Sequence, residues 1–284
     1  MEGVPVYRNT LSCLKAVHAA ARYGEFLRRQ STAMPARPAG IDTAAARSQL
    51  RAASGVLTER ASKAVLAAYG FPLTREALAG DAAEAARIAH DLGGEVALKI
   101  ESADIPHKTE AGAIRLNVSG DGAVRQAFGE VMAAAKAYKP GARLAGVLVQ
   151  EMAPAGLEIV LGLVADPVFG TVVAAGLGGI HVEVLRDIVY RVAPIDNAEA
   201  HGMLRELRAH RMLEGVRGAK PRDSEALCDL IVRLSWLGHD CRDLIAELDI
   251  NPLVLYERGA GARVVDALIV KCGANEGQLS GLLQ

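Results

Sequence analysis

The sequence predicts an α+β protein built as two lobes with a ligand cleft between them, and three observations carry that expectation. Helix–strand units in the first half give way to closely spaced apolar runs, and the short Pro- or Gly-bearing connections between those runs fit antiparallel pairing better than a doubly wound parallel sheet. With 284 residues and a 51% hydrophobic composition, the chain can bury a substantial core. Ala and Gly are abundant and aromatic residues make up only 4%, which suits helices packed closely on sheets. Two lobes imply a cleft, and small ligands favour clefts.

The 32 basic and 33 acidic residues leave a formal net charge of −1, so neither nucleic acid nor an anionic membrane is an expected partner. Apolar stretches such as Val96 to Ile100 are far shorter than a membrane span. The first ten residues lack the features of a secretory signal, which makes the cytoplasm the expected compartment. Cys13, Cys228, Cys241 and Cys272 are scattered without a CxxC pair and read as free thiols.

Taken in order, Leu11 to Arg29 is amphipathic and helical, and Pro35, Pro38 and Gly40 then mark a linker. Residues 1–40 are thus expected to form a helical extension and residues 41–284 the main domain, with a small lobe over about 70–150. Helices are expected from Thr58 to about Tyr69 and from Asp81 to Leu92, the second ended by Gly93-Gly94. Strands follow at Val96 to Ile100 and Ala113 to Val118, then a helix at Val124 to Tyr138. Gly146 to Met152, Glu158 to Ala165 and Thr171 to Ala175 read most simply as strands of one antiparallel sheet. Helices at about Asn197 to Arg208 and Ser224 to Leu237 precede a last strand pair, Ile245 to Tyr256 and Arg263 to Val270.

Several positions can carry chemistry. Lys99 lies inside the apolar run VALKI, either as a point charge for a nucleotide phosphate or as a side chain that snorkels to solvent. The loop Asp104 to Gly112 sets His107 beside Lys108. A neutral imidazole there can accept a phosphoryl group, although a loop histidine is commonly just solvated. Gly176-Leu177-Gly178-Gly179 follows a strand, where backbone N–H groups can approach phosphate or simply form a tight turn; it matches neither the P-loop nor the dinucleotide fingerprint. In a hairpin turning at Glu257 to Gly261, the midpoint between Asn251 and Asp266 falls at Arg258/Gly259, so the two face each other, with Asp249 on the same face. Their oxygens suit Mg²⁺ completed by water and phosphate, or equally the polar face of an edge hairpin. Glu151 and Glu158 flank Met152 to Gly156, a link that can line an adenine pocket.

In order, the segments LTERASKAVLAAYGFPLT, VALKIESADIPHKTEAGAIRL, VLVQEMAPAGLEIVLG, AAGLGGIHVEVLRDIVYRVAPI, LEGVRG and ELDINPLVL resemble the ATP-grasp domain of NDP-forming acyl-CoA synthetases. This is the acetate–CoA ligase (ADP-forming) family, related to the succinyl-CoA synthetase β subunit, and the likeness runs from about Leu57 to Val270. It implies the ATP-grasp fold and an acid–thiol ligase reaction, acid + CoA + ATP giving acyl-CoA + ADP + phosphate. It further implies that Lys99 and Lys108 contact ATP or ADP, that Gln150, Glu151, Met152 and Ala153 form the hinge beside adenine, and that Glu158 binds ribose. Asn251 and Asp266 would hold Mg²⁺, and His107 would be the mobile-loop histidine that carries phosphate. Residues Val4 to Arg29 are similar to the tail of the CoA-ligase domain of fused members, which implies a partner subunit carrying the CoA-binding and phosphohistidine parts. Ala113, His181 and Leu268 depart from the family pattern. The alternative expectation is a nucleotide-binding regulatory or assembly module without turnover.

Overall fold

The computed structural model describes residues 7, 9–29, 34–179, 187–216 and 218–273. It separates into two compact units, Met1–Ala36 and Arg37–Gln284. The first contains one helix, α1 (Thr10–Arg29), on which Leu11, Leu14, Val17 and Tyr23 are exposed.

The second unit holds two antiparallel sheets. Four strands, β1 (Glu76–Ala79), β2 (Val96–Glu101), β3 (Ile114–Val118) and β4 (Gly146–Glu151), form the smaller sheet in the order β1-β4-β2-β3. Helices α4 (Ala82–Leu92) and α5 (Asp121–Tyr138) pack together over it, burying Ala85, Ala86, Val124, Phe128 and Val131 against Leu98, Ile100 and Val149. Asp81 caps α4 by accepting from the backbone N of Ala83 and Glu84, each at 2.8 Å, and thereby satisfies donors that the first turn leaves open.

The larger sheet runs β10-β8-β5-β6-β7, with β9 also paired to β8. Its strands are β5 (Leu157–Asp166), β6 (Gly170–Leu177), β7 (Ile188–Val192), β8 (Ile245–Leu255), β9 (Ala262–Val264) and β10 (Ala267–Lys271). On it pack α3 (Glu59–Ala67), α6 (Asn197–Glu206) and α8 (Ser224–Asp240), while α2 (Thr43–Ala52) lies against α3 and the short α7 (Arg211–Glu214) adds Leu213 to the same core. Buried Leu227, Ile231, Leu234 and Leu237 recur three to four residues apart on α8 and meet Leu161, Leu163 and Val173.

This arrangement corrects two expectations from the sequence. Gly146–Glu151 is not in one sheet with the two runs that follow it, because it is an inner strand of the smaller sheet whereas β5 and β6 belong to the larger. The chain changes lobe between Met152 and Gly156, and Gly156 is required there: a Cβ would lie 2.5 Å from Val254 Cγ1 and 2.8 Å from Leu255 O. The last strand is also split, since β9 and β10 are separate strands with Val265 and Asp266 between them. The register is nonetheless the same on both sides, Leu253 opposite Val264 and Ile250 opposite Ala267. His181 lies outside the described residues. Among those residues no helix is long and apolar enough to cross a membrane.

Candidate functional site

A buried ionic cluster forms where the two sheets meet. Lys99, on the central part of β2, is only 3% exposed, and its side chain does not reach solvent. Its Nζ donates to Glu59 Oε1 at 2.8 Å and to Val265 O at 3.2 Å, and it lies 3.9 Å from Asp266 Oδ2. Lys108 reaches into the same place from the loop after β2, 2.8 Å from Glu59 Oε2 and 3.1 Å from Asp266 Oδ2. Lys63, one turn along α3 from Glu59, donates to Glu59 Oε1 at 2.8 Å and to Glu76 Oε2 at 2.6 Å.

Charge neutralisation decides the protonation of this cluster. Burial pushes the Glu59 carboxyl up, but the ammoniums of Lys99, Lys108 and Lys63 outweigh it and hold the group well below the usual carboxylate range. Burial likewise works against the Lys108 ammonium, yet Asp266 and Glu59 keep its pKa above that of a free lysine. Glu101, two residues beyond Lys99 on β2, is 2% exposed, and burial raises its pKa.

Gln150 belongs to this cluster through its side chain. Its Nε2 lies 2.7 Å from Thr74 Oγ1, 2.9 Å from Glu76 Oε2 and 2.9 Å from Val265 O. Alternation along β4 turns its neighbour the other way, so Glu151, Met152 and Ala153 line a separate cleft of about 820 Å³ with Arg75, Tyr256 and Arg263. That volume suits a nucleotide-sized ligand. The Glu151 carboxylate is already engaged: it accepts from Arg75 N at 2.9 Å, Arg75 Nε at 2.6 Å and Arg263 Nη1 at 2.6 Å. Burial favours its neutral form, but the Arg75 contacts and the Arg263 charge prevail and lower its pKa. The backbone N of Met152 donates to Glu95 O.

Glu158 is exposed on β5, directly across from Val254, which in turn faces Arg263 on β9. The three therefore share one face of the larger sheet, with Glu158 two strands from Arg263 and three residues beyond Ala155 of the cleft wall. Gly178 and Gly179 press against Glu158: a Cβ on Gly178 would lie 3.0 Å from the Glu158 Cβ, and Gly178 N donates to Glu158 O at 2.7 Å.

Asn251 N donates to Asp266 O at 3.2 Å, and the shared register sets the two residues opposite each other. Asn251 is exposed, the Asp266 side chain is 30% exposed, and both are accessible to a ligand. Asp249 lies beside them with Oδ1 buried and without a hydrogen-bond partner, and burial together with the charges of Asp266 and Glu247 raises its pKa well above the ordinary value. An orphaned carboxylate oxygen beside a second carboxylate and an amide oxygen is a hard-cation donor set. Among the described residues no three His, Cys, Asp or Glu side chains are arranged to hold an ion alone. Phosphate and water oxygens would therefore have to complete a Mg²⁺ shell, and the donor set fits that ion.

His107 stands apart from these contacts. It is exposed, whereas the adjacent Lys108 turns inward. The loop closes on itself through Ala111 N to His107 O, Gly112 N to Thr109 O and Ala113 N to Lys108 O. The structure thus brings Lys99, Lys108, Gln150 and Asp266 together, with Asn251 at the edge. It places Glu151, Met152 and Ala153 in the neighbouring cleft, Glu158 on its flank and His107 outside in this conformation.

Residues 48–270 match the model of an ATP-grasp domain. The chain belongs to the ATP-grasp family. Within it, the chain groups with the ADP-forming acyl-CoA ligases, which are acid–thiol ligases. It is 39% identical over 217 residues to the β subunit of acetate–CoA ligase (ADP-forming) II of Pyrococcus furiosus, covering 76% of this chain and 92% of that one. It is 42% identical over 214 residues to the β subunit of ligase I of the same organism, covering 75% and 91%. Acetate–CoA ligase I of Archaeoglobus fulgidus is a longer protein, 34% identical over 275 residues that make up 94% of this chain and 39% of that one. A solved structure of the acetyl-CoA synthetase 1 of Ca. Korarchaeum cryptofilum, holding coenzyme A and Mg-AMPPCP with its phosphohistidine segment pointing towards the nucleotide site, superposes with a TM-score of 0.69 at 35% identity, covering 80% of this chain and 99% of that one.

The chain therefore carries the ATP-grasp part of such ligases. Among the residues to which the sequence assigned no role are Glu59, Arg75, Tyr256 and Arg263. The spacing of Glu59 and Lys63, one turn apart behind the capping residue Thr58, is a visible sign of a paired helix terminus. The other three carry no local signal, because their meaning comes from strands distant in sequence.

Proposed function

We propose that this subunit exchanges a phosphoryl group between Mg-ATP and His107, and that a partner chain performs the acyl-CoA chemistry. The observation that carries the reading is the convergence of two buried ammoniums, Lys99 and Lys108, on the accessible carboxylate of Asp266, within one strand of the cleft that Glu151, Met152 and Ala153 line. Adenine occupies the cleft beside Met152 and Ala153, Glu158 takes the ribose hydroxyls, and the phosphates extend along β9 from Arg263 towards Asp266. Asn251 and Asp266 hold Mg²⁺, with Asp249 beside them; when bound, the ion neutralises charge on the phosphate oxygens. Lys99 supplies further positive charge at the phosphates, and Lys108 adds to it until the loop turns.

The chemistry requires the loop to turn His107 inward. Its unprotonated ring nitrogen attacks the γ-phosphorus, the bond from phosphorus to the bridging oxygen breaks, and ADP leaves with the electron pair. The reverse step returns the group to ADP. The Korarchaeum enzyme, with Mg-AMPPCP and a phosphohistidine segment aimed at the nucleotide, supports both the ion and a phosphohistidine-bearing partner. So do the relatives named as β subunits. The test is incubation with γ-labelled ATP and Mg²⁺ followed by mapping of the label. An acid-labile label on the peptide containing His107 is expected, and label that persists in His107→Ala would refute the assignment.

A further inference from the structure

We propose that Glu59 is the positioning residue of the phosphotransfer site: its carboxylate sets Lys99 against the nucleotide phosphates and, through Lys108, moors the loop that bears His107. The proposal rests on the reading of function just given. It starts from the burial of Glu59, whose side chain is 0% exposed although it stands at the first turn of a helix. Three ammoniums from three different elements converge on it at 2.8 Å: Lys63 from α3 itself, Lys99 from β2 of the smaller sheet, and Lys108 from the reactive loop.

Stability alone does not account for this arrangement. Helix α3 is already fixed on the larger sheet by Val65, Leu66 and the following Tyr69, all 0% exposed. A buried ion cluster is no more stabilising than apolar residues of similar volume, because each ion loses its hydration. What the cluster does provide is direction. The carboxylates of Glu59, Glu76 and Asp266 match the ammoniums of Lys63, Lys99 and Lys108 in number, so every lysine is held in place before any phosphate arrives. Lys63 also bonds Glu76 and Thr74, and so braces Glu59 from behind. Lys99 and Lys108 are the two that face Asp266. Groups held in advance in this way lose little freedom when the substrate binds.

The loop gives the second half of the argument. The base of the loop is fixed by Ile105 and Ala111 in the core of the smaller sheet and by Arg143 N donating to Asp104 Oδ2, while the hydrogen bonds at the amides of Ala111, Gly112 and Ala113 run within the segment and do not tie the tip, residues 107–110, to the rest of the molecule. Lys108 does, through Glu59 on α3 and Asp266 beside β10. With Lys108 turned in, its neighbour His107 is turned out. Release of Lys108 from the two carboxylates is then the step that frees the loop to present His107.

The test compares Glu59→Gln and Lys108→Met with the unaltered full chain. Hydrogen–deuterium exchange without nucleotide reads the mooring: both variants are expected to accelerate exchange at Ala111, Gly112 and Ala113 by at least about 10-fold, with the amides of β5 and β6 unchanged. Steady-state nucleotide kinetics read the setting of Lys99, and Glu59→Gln is expected to raise KM for nucleotide by about 10- to 100-fold. Should Glu59→Gln not fold, Lys108→Met still decides the mooring. Loop exchange at the unaltered rate in the folded variants, with only a lower melting temperature, would overturn the role of Glu59 while leaving the proposed function standing. Failure of the unaltered chain to bind nucleotide at all would overturn the proposed function first, and the role of Glu59 with it.

Discussion

Replacing Lys99 with Met removes one buried charge at nearly constant volume, and its consequences follow from the cluster it belongs to. Lys99 is 3% exposed and bonds Glu59 at 2.8 Å and Val265 O at 3.2 Å. Breaking a buried ion pair costs about 3–5 kcal/mol when it strands the partner charge. Here Glu59 keeps Lys63 and Lys108, so the expected loss is smaller, about 2–3 kcal/mol, close to that of one charge-assisted hydrogen bond. With a urea slope of about 2–3 kcal/mol per molar, the unfolding midpoint should fall by roughly 1 M with the slope unchanged. The effect on nucleotide has its own scale. A unit charge about 4 Å from phosphate contributes at most about 4 kcal/mol at an effective dielectric of 20. Part of that is recovered by water entering the variant, which leaves about 2–3 kcal/mol, or roughly 30- to 150-fold in affinity. Urea unfolding and calorimetric titration with a non-hydrolysable ATP analogue measure the two effects. Unchanged midpoint and affinity within about threefold of the original would refute the reasoning, because they would mean that the ammonium neither supports Glu59 nor faces phosphate.

Four further outcomes are expected. Asp266→Asn should weaken Mg²⁺-dependent nucleotide binding by about 10- to 100-fold and leave metal-free binding nearly unaltered, as a titration at several Mg²⁺ concentrations would show. Gly156→Ala places a Cβ 2.5 Å from Val254 and 2.8 Å from the Leu255 carbonyl, and calorimetric melting should show a loss of at least about 1–3 kcal/mol. Cys228 and Cys241 are fully buried, with thiols that burial pushes up to about 12 and about 11, so at pH 8 a thiolate fraction below about one in a hundred should leave them unalkylated by iodoacetamide until urea unfolds the chain. Because the folded pKa of Glu59 is depressed, its ionised form stabilises the fold fully above pH about 5 and less as pH falls through the lowered value; the stability difference between the unaltered chain and Glu59→Gln should be flat above that pH and shrink below it.

Much of the fold is legible because its signals are local. The caps and Gly stops of α4 and the periodicity of α5 and α8 fix those helices within a few residues. The Gly-containing turn after β8 fixes the register that sets Asn251 against Asp266. The assignment of β4 to its sheet is not legible in the same way. Its apolar run is indistinguishable from β5, and only long-range pairing, β4 with β1 and β2 but β5 with β6 and β8, shows that the chain has crossed between lobes. The site divides along the same line. Lys99 is conspicuous as a charge inside an apolar run, but its partner Glu59 is 40 residues away and reads locally as an ordinary helix-start acid. Glu151 is misleading for a related reason. Its sequence context suggests a free carboxylate, whereas Arg75, just before β1, and Arg263, on β9, arrive from 76 and 112 residues away to occupy it.

The central claim, that nucleotide and His107 exchange a phosphoryl group without the acyl-CoA half of the reaction, is tested most directly by isotope exchange. The chain is incubated with Mg²⁺, ATP and labelled ADP, with neither carboxylic acid nor CoA present, and the label appearing in ATP is followed. Label should enter ATP in the unaltered chain and fail to do so in His107→Ala. Exchange that persists in His107→Ala, or that starts only when acid and CoA are added, would contradict the account.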